Sequence, residues 1–262
     1  MPKEVARADL SRVLAVFTDV DGTLTTENRL RSSTVGALEA LRRAGLGVVL
    51  VSGRPAGWGE CWARTLPVDG VIVENGGLYY ARRQGRLVKV YAQSEAVRRR
   101  NRVRLWREVQ KALALVKGAR LSSDSAHTEV DLAIDYNEEV QLGQSAADRL
   151  EAHLAHRGVN AVRSSVHVNC WIGQFDKLSM VRAYLRRELK LSLAANDARF
   201  VYAGDSFNDA PMFAAFPLSV GVANVREVLG RIEHPPAFIT TAAEGAGFEE
   251  LAAAILVARD TP

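Results

Sequence analysis

Hydrophobic and polar positions along this chain keep two periods in turn. Residues 13–18, 46–51 and 71–73 are short, almost wholly apolar runs. Between them, residues 32–44 place Val35, Leu38 and Leu41 on one helical face behind Ser and Thr caps, and Pro55 suits the first turn of a second helix. Strands apolar on both faces with helices between them predict a parallel sheet covered on two sides. The pattern returns late in the chain, with helical spacing over 178–189, 208–216 and 248–258 and strand-like runs over 200–203, 218–222 and 237–240.

The stretch between these blocks has another character. Residues 79–91 predict a hairpin around Gln84-Gly85. Residues 93–172 begin with a long basic helical pattern, alternate over 128–136, resume helical spacing over 145–156 and end in strand-like runs around Arg163 and Val168. This order lacks parallel alternation and predicts an inserted α+β unit. The expected organisation is a discontinuous doubly wound α/β core, residues 1–92 and 173–262, with a smaller unit at 93–172.

Composition narrows the class. With 262 residues, 48% hydrophobic and 24% charged, the chain can bury a core and is not disordered as a whole. No apolar run approaches the roughly 18 residues needed to span a bilayer, and the first residues lack the apolar centre of a signal peptide, so a cytoplasmic protein is expected. Cys61 and Cys170 are too few for a disulfide framework or zinc site and read as buried small hydrophobes. A net charge of +4 suits an anionic small molecule and equally a protein with no electrostatic specialisation.

The chemistry sits at strand ends. The first strand closes in Phe17-Thr18-Asp19-Val20-Asp21-Gly22-Thr23, with two carboxylates where open α/β sheets bind ligands. The second ends in Val51-Ser52-Gly53-Arg54-Pro55, whose hydroxyl and amides can donate to anionic oxygens or simply cap a helix. Lys177 opens the helix after the insertion, and Gly204-Asp205-Ser206-Phe207-Asn208-Asp209 follows a later strand.

These four motifs, in this order, resemble those of the haloacid dehalogenase superfamily of phosphohydrolases. The resemblance implies Asp19 as nucleophile, Asp21 as general acid and base, and Lys177 as the cation that neutralises nucleophile and phosphate. It further implies Ser52, Gly53, Arg54 and Asn208 at the substrate, and a Mg2+ cofactor at Asp19, the backbone carbonyl of Asp21, Asp205 and Asp209. A carboxylate nucleophile would divide hydrolysis into two displacements through an aspartyl-phosphate. The second Asp argues against ion pumping and dehalogenation.

The insertion lies between Ser52 and Lys177, where this superfamily carries C2 caps. Its helix and strand order resembles the C2B type (subclass IIB), shared by sucrose-phosphate, mannosyl-3-phosphoglycerate, phosphoglycolate and Cof-type phosphatases. Glu74-Asn75-Gly76-Gly77 fits that branch, with Asn75 either bonding substrate or making a turn. The expected activity is Mg2+-dependent hydrolysis of a sugar phosphate or phosphorylated organic acid, by a monomer or homodimer. The alternatives are a phosphomannomutase-like mutase and a nucleic-acid-binding protein.

The second alternative rests on Arg98-Arg99-Arg100-Asn101-Arg102-Val103-Arg104-Leu105-Trp106-Arg107. Its plainer reading is a solvated cap helix, packed through Val103, Leu105 and Trp106, with no nucleic acid or membrane partner. Arg163, Ser165, His167 and Asn169 are expected to share one strand face, and His127 and Glu129 are weaker site candidates.

Overall fold

A computed structural model describes residues 2–164, 166–194 and 197–260. In chain order the strands are β1 Lys3–Glu4, β2 Ala15–Thr18, β3 Thr25–Thr26, β4 Arg29–Leu30, β5 Gly47–Val51, β6 Gly70–Val73, β7 Leu78–Arg83, β8 Arg86–Tyr91, β9 Arg120–Leu121, β10 Asp131–Asp135, β11 Asn160–Arg163, β12 His167–Trp171, β13 Phe200–Gly204, β14 Leu218–Gly221 and β15 Phe238–Ile239. The α-helices are α1 Ser32–Arg43, α2 Ala56–Thr65, α3 Glu95–Leu115, α4 Gln144–His156, α5 Lys177–Tyr184, α6 Ala210–Ala215 and α7 Glu244–Asp260.

Nine strands form one sheet in the order β1-β15-β14-β13-β2-β5-β6-β7-β8, parallel from β1 to β6 and antiparallel through the β7–β8 hairpin. The central strands β2, β6 and β13 are buried along their whole length, which explains their unbroken apolar runs. Gln84 and Gly85 take φ of 50° and 78°, the left-handed pair that a two-residue hairpin requires. β2 lies between β13 and β5, so its carboxyl end faces the crevice where the strand order reverses.

The segment between β8 and α5 forms a second, antiparallel sheet, β11-β12-β10-β9. Leu132, Ile134, Val168 and Cys170 turn toward α3 and α4 and pack with Leu105, Val109, Leu150 and Leu154. Period-2 alternation then aims Asp131, Ala133, His167 and Asn169 the other way, toward the large sheet. Glu74 fastens the two units together. Its buried carboxylate accepts hydrogen bonds from the amides of Ala56 (2.9 Å), Glu129 (2.8 Å), Val130 (2.6 Å) and Asp131 (2.9 Å).

Several expectations are corrected. Pro55 is the N-cap of α2, one position ahead of its first turn, and the α5 helix widens into a π-turn over Leu185–Leu189. A small hairpin, β3–β4, follows Asp21; its tip residues Glu27 and Asn28 have φ of 50° and 61°. Arg163 does not share a face with His167 and Asn169, because a turn separates β11 from β12 and Arg163 points to Gln144, Asp148 and Glu151 on α4. Ser165 lies outside the described residues. On α3, Leu105 is buried while Val103 and Trp106 are exposed, and Cys61 is exposed whereas Cys170 is buried. Among the described residues, no helix is long and apolar enough to cross a membrane.

Candidate active site

Asp19 leaves β2 with its amide bonded to the Ala203 carbonyl, so the ends of β2 and β13 are held side by side. This brings the first and fourth motifs together. Gly22 turns the chain at φ +74°, and a Cβ there would lie 2.6 Å from Asp205 Oδ2. Only glycine lets the loop approach the carboxylate so closely. Thr23 donates to Asp205 Oδ1 at 3.0 Å, and Asn224 Nδ2 donates both to Asp205 Oδ2 (3.1 Å) and to the Gly22 carbonyl (3.0 Å).

Lys177 is the first residue of α5, whose N-cap Asp176 forms a reciprocal capping box with Ser179. From there its buried ammonium reaches Asp19 Oδ1 at 2.8 Å and Asp209 Oδ1 at 3.0 Å. Burial alone would lower its pKa, but the two carboxylates outweigh that and hold it above the ordinary lysine value. Asp209 is fully committed. Oδ1 also accepts from Tyr202 Oη at 2.5 Å, and Oδ2 accepts from the amides of Asp205 (3.0 Å) and Ser206 (3.1 Å).

Asp19, Asp205 and Asp209 each offer an oxygen within 4.8 Å of the others'. Burial, above all, pushes the Asp19 carboxyl up to about 7 and Asp205 well above its usual range, with Asp209 adding repulsion to both. Three carboxylates against one ammonium form an all-oxygen donor set that a hard divalent cation satisfies. The residues present therefore fit Mg2+. Asp19 and Asp205 have the freer oxygens, while Asp209 is occupied with Lys177, Tyr202 and its own loop.

Asp21 is half-exposed and forms a bidentate pair with Arg54, whose Nε lies 3.0 Å from Oδ2 and whose second terminal nitrogen lies 2.9 Å from Oδ1. The other terminal nitrogen of Arg54 faces Asp124 (3.8 Å) and Glu138 (3.7 Å) across the gap to the smaller sheet. Asp19, Asp21, Gly53, Arg54, Asp205 and Asn208 line one pocket, roofed by Asp124, Ala133, Ser164, His167 and Asn169.

Ser52 lies fully buried beneath this lining, and its Oγ accepts from the Arg54 amide at 3.0 Å. It is not a helix cap, since α2 starts four residues later and its first amide belongs to Glu74. Asn75, at φ 53°, donates to Asp131 Oδ2 at 3.1 Å and stands behind Gly53 rather than in the pocket. Asn208 Oδ1 accepts from Ser206 Oγ at 2.7 Å. Glu129 pairs with Lys89 and Tyr91, away from the pocket, and His127 packs over Gly57. Sequence reasoning missed Tyr202, Thr23 and Asn224. Thr23 stood inside the first motif without an assigned partner, a tyrosine at a buried strand position carries no local signal, and Asn224 comes from a 3-10 turn over 200 residues away from Gly22.

A doubly wound sheet with paired carboxylates at its switch point, a buried lysine and an α+β unit roofing the crevice define a hydrolase of one class. Residues 16–156, more than half the chain, match the haloacid dehalogenase-like hydrolase family, and the chain belongs to it. It is 29% identical over 241 residues to a phosphoglycolate phosphatase of Methanosarcina acetivorans, covering 90% of this chain and 93% of that one. It is 30% identical over 244 residues to a phosphoglycolate phosphatase of Haloarcula marismortui, covering 91% and 95%. A crystal structure from Thermoplasma acidophilum shares the fold with a TM-score of 0.70 at 19% identity, over 94% of this chain and 99% of that one.

Proposed function

We propose that this hydrolase is a Mg2+-dependent phosphatase of small phosphorylated metabolites, acting through an aspartyl-phosphate on Asp19. The observation that carries the reading is Asp19 at the mouth of the sheet, 2.8 Å from a lysine that also holds Asp209, with Asp205 alongside. Curated relatives of nearly full length that bear the name phosphoglycolate phosphatase support a phosphorylated small molecule as substrate.

Asp19 supplies the attacking oxygen, and the bond from phosphorus to the leaving oxygen breaks as the new one forms. Asp21 gives its proton to the departing alkoxide and then takes one from the water that cleaves the phosphoaspartate. Lys177 offsets charge on Asp19 and on the phosphoryl oxygens, and the Ser52 hydroxyl with the Gly53 amide receives those oxygens from the side of β5. Asp19, Asp205 and the Asp21 carbonyl would hold Mg2+, which would supply charge neutralisation at the phosphoryl group. Asp209 positions Lys177 and the Asp205 loop. Residues 93–172 act as a C2B cap that roofs the leaving group.

Asp19→Asn is expected to lower Mg2+-dependent hydrolysis of p-nitrophenyl phosphate by at least about a thousandfold while far-UV circular dichroism is unchanged. Parental turnover by that variant removes Asp19 as nucleophile. Chelation by EDTA is expected to abolish turnover, and Mg2+ to restore it. The same ion should raise Tm in proportion to the logarithm of its concentration once saturating, because only the folded chain assembles the carboxylates.

A further inference from the structure

The phosphoryl group occupies the floor of the pocket, so the roof reads whatever is attached to it. That roof has an unexpected charge balance. Asp21, Asp124 and Glu138 surround the one guanidinium present, Arg54, at distances between 2.9 and 3.8 Å. Lys177 lies below, spent on Asp19 and Asp209. Arg163, which the sequence pattern placed on the same face, points away to acidic residues of α4. Among the described residues around the pocket, every cation is thus already matched or outnumbered by carboxylates.

Among the described residues of the roof, His167 and Asn169 have polar atoms facing the pocket. His167 is 5% exposed, and its Nε2, though 2.8 Å from Glu138 Oε2, is out of hydrogen-bonding alignment and has no partner. Asn169 is 6% exposed and lines the same pocket, and its amide carries no hydrogen bond to the described residues. A buried imidazole nitrogen left without a hydrogen bond is costly unless a ligand satisfies it, and the Asn169 amide lies beside it in the same pocket. An amide offers donor and acceptor together, which matches hydroxyl groups. A second carboxylate on the substrate would meet Glu138 and Asp124 instead, with no free cation to receive it.

We infer that the cap selects an uncharged, hydroxyl-bearing leaving group, a polyol or sugar, through Asn169 and His167, and that Glu138 and Asp124 reject substrates whose leaving group bears a carboxylate. The inference rests on the phosphatase reading above and narrows it. It also separates this chain from the substrate in its relatives' names, since phosphoglycolate presents a carboxylate to the roof.

The test compares glycerol 1-phosphate and 2-phosphoglycolate, similar in size and different in charge, with p-nitrophenyl phosphate as reference and Mg2+ present throughout. The parent is expected to favour glycerol 1-phosphate in kcat/KM by tenfold or more. The double variant Glu138→Gln, Asp124→Asn is expected to narrow that ratio about tenfold, chiefly through a lower KM for phosphoglycolate. Asn169→Ala is expected to narrow it from the other side, by losing glycerol 1-phosphate. Because each readout is a ratio within one protein, a common loss of folded enzyme cancels. A parent that prefers phosphoglycolate, or a ratio that the charge-removing variant leaves in place, overturns the inference while leaving the phosphatase intact. No turnover of any of the three overturns the phosphatase reading, and this inference with it.

Discussion

Glu74 and Asp131 are two buried carboxyl groups in one seam, and burial raises the pKa of both. Four amides donate to Glu74 and hold back its rise without cancelling it. Asp131 is equally buried, lies beside that carboxyl and has one amide donor from Asn75, so burial first and Glu74 second push its pKa well above 3.8. A carboxyl with a raised native pKa takes up a proton on folding. Its stabilising share is full at acid pH and declines as pH rises from its ordinary value toward its native one. Asp131→Asn should therefore match the parent in Tm near pH 4 and exceed it progressively from pH 5 to pH 8; parallel curves would show that Asp131 is ionised. Neither role was legible locally. Asp19, Asp21, Ser52, Lys177 and Asp205 stood out because phosphoryl chemistry fixes residue type and spacing within a few positions. Tyr202, Asn224 and the Glu74 cluster depend on partners that only the fold brings near.

At the scale of elements, the arginines of α3 have several different surroundings. Arg98 lies 3.3 Å from the centre of the Tyr91 ring, Arg99 pairs with Glu95, Arg102 donates to the carbonyls of Thr128 and Asp131, and Arg104 donates to the Arg157 carbonyl. Arg100 and Arg107 face solvent. Of the six arginines, Arg102 and Arg104 tie the smaller unit together, Arg98 reaches a ring of β8 in the large sheet, and Arg99 pairs within its own helix. Arg102→Ala is expected to cost about 1–3 kcal/mol in urea unfolding, since it leaves inward carbonyls without a donor. Arg100→Gln with Arg107→Gln should stay within about 0.5 kcal/mol each. The apolar stripe of α3 runs through Leu105, Val109 and Ala112, and periodicity alone did not separate it from Val103 and Trp106. Strand alternation failed for a comparable reason at Arg163, where the turn into β12 resets the register. The long parallel strands, buried on both faces, were legible almost to the residue.

Among the contacts that join the two units, two differ in kind. Near the crossing segments, Glu74 binds backbone amides of the small unit in a buried seam, while within the large unit Gly76 passes so close to the start of α5 that a Cβ would fall 2.0 Å from the Asp176 carbonyl oxygen. At the far side, Arg54 of the large unit faces Asp124 and Glu138 of the small one. Arg54→Ala should speed amide hydrogen exchange around Asp124 and Glu138 while the Glu129, Val130 and Asp131 amides stay protected. Uniform acceleration would mean that the two sides open as one. Gly76→Ala, at φ +94°, should destabilise the large unit by roughly 3 kcal/mol or more, read as a drop in Tm.

The unequal fastening reaches beyond stability. Buried amides on Glu74 are insulated from dissolved ions, whereas the Arg54 cluster opens onto the pocket mouth and is screened by them. Added salt should therefore weaken the Arg54 contacts more than the Glu74 ones, which a salt series of hydrogen exchange at Asp124 and Glu138 would measure. Where escape of the dephosphorylated product limits the cycle, ionic strength sets the pace of the enzyme, and a crowded, salty cell and a dilute buffer would run the same active site at different speeds.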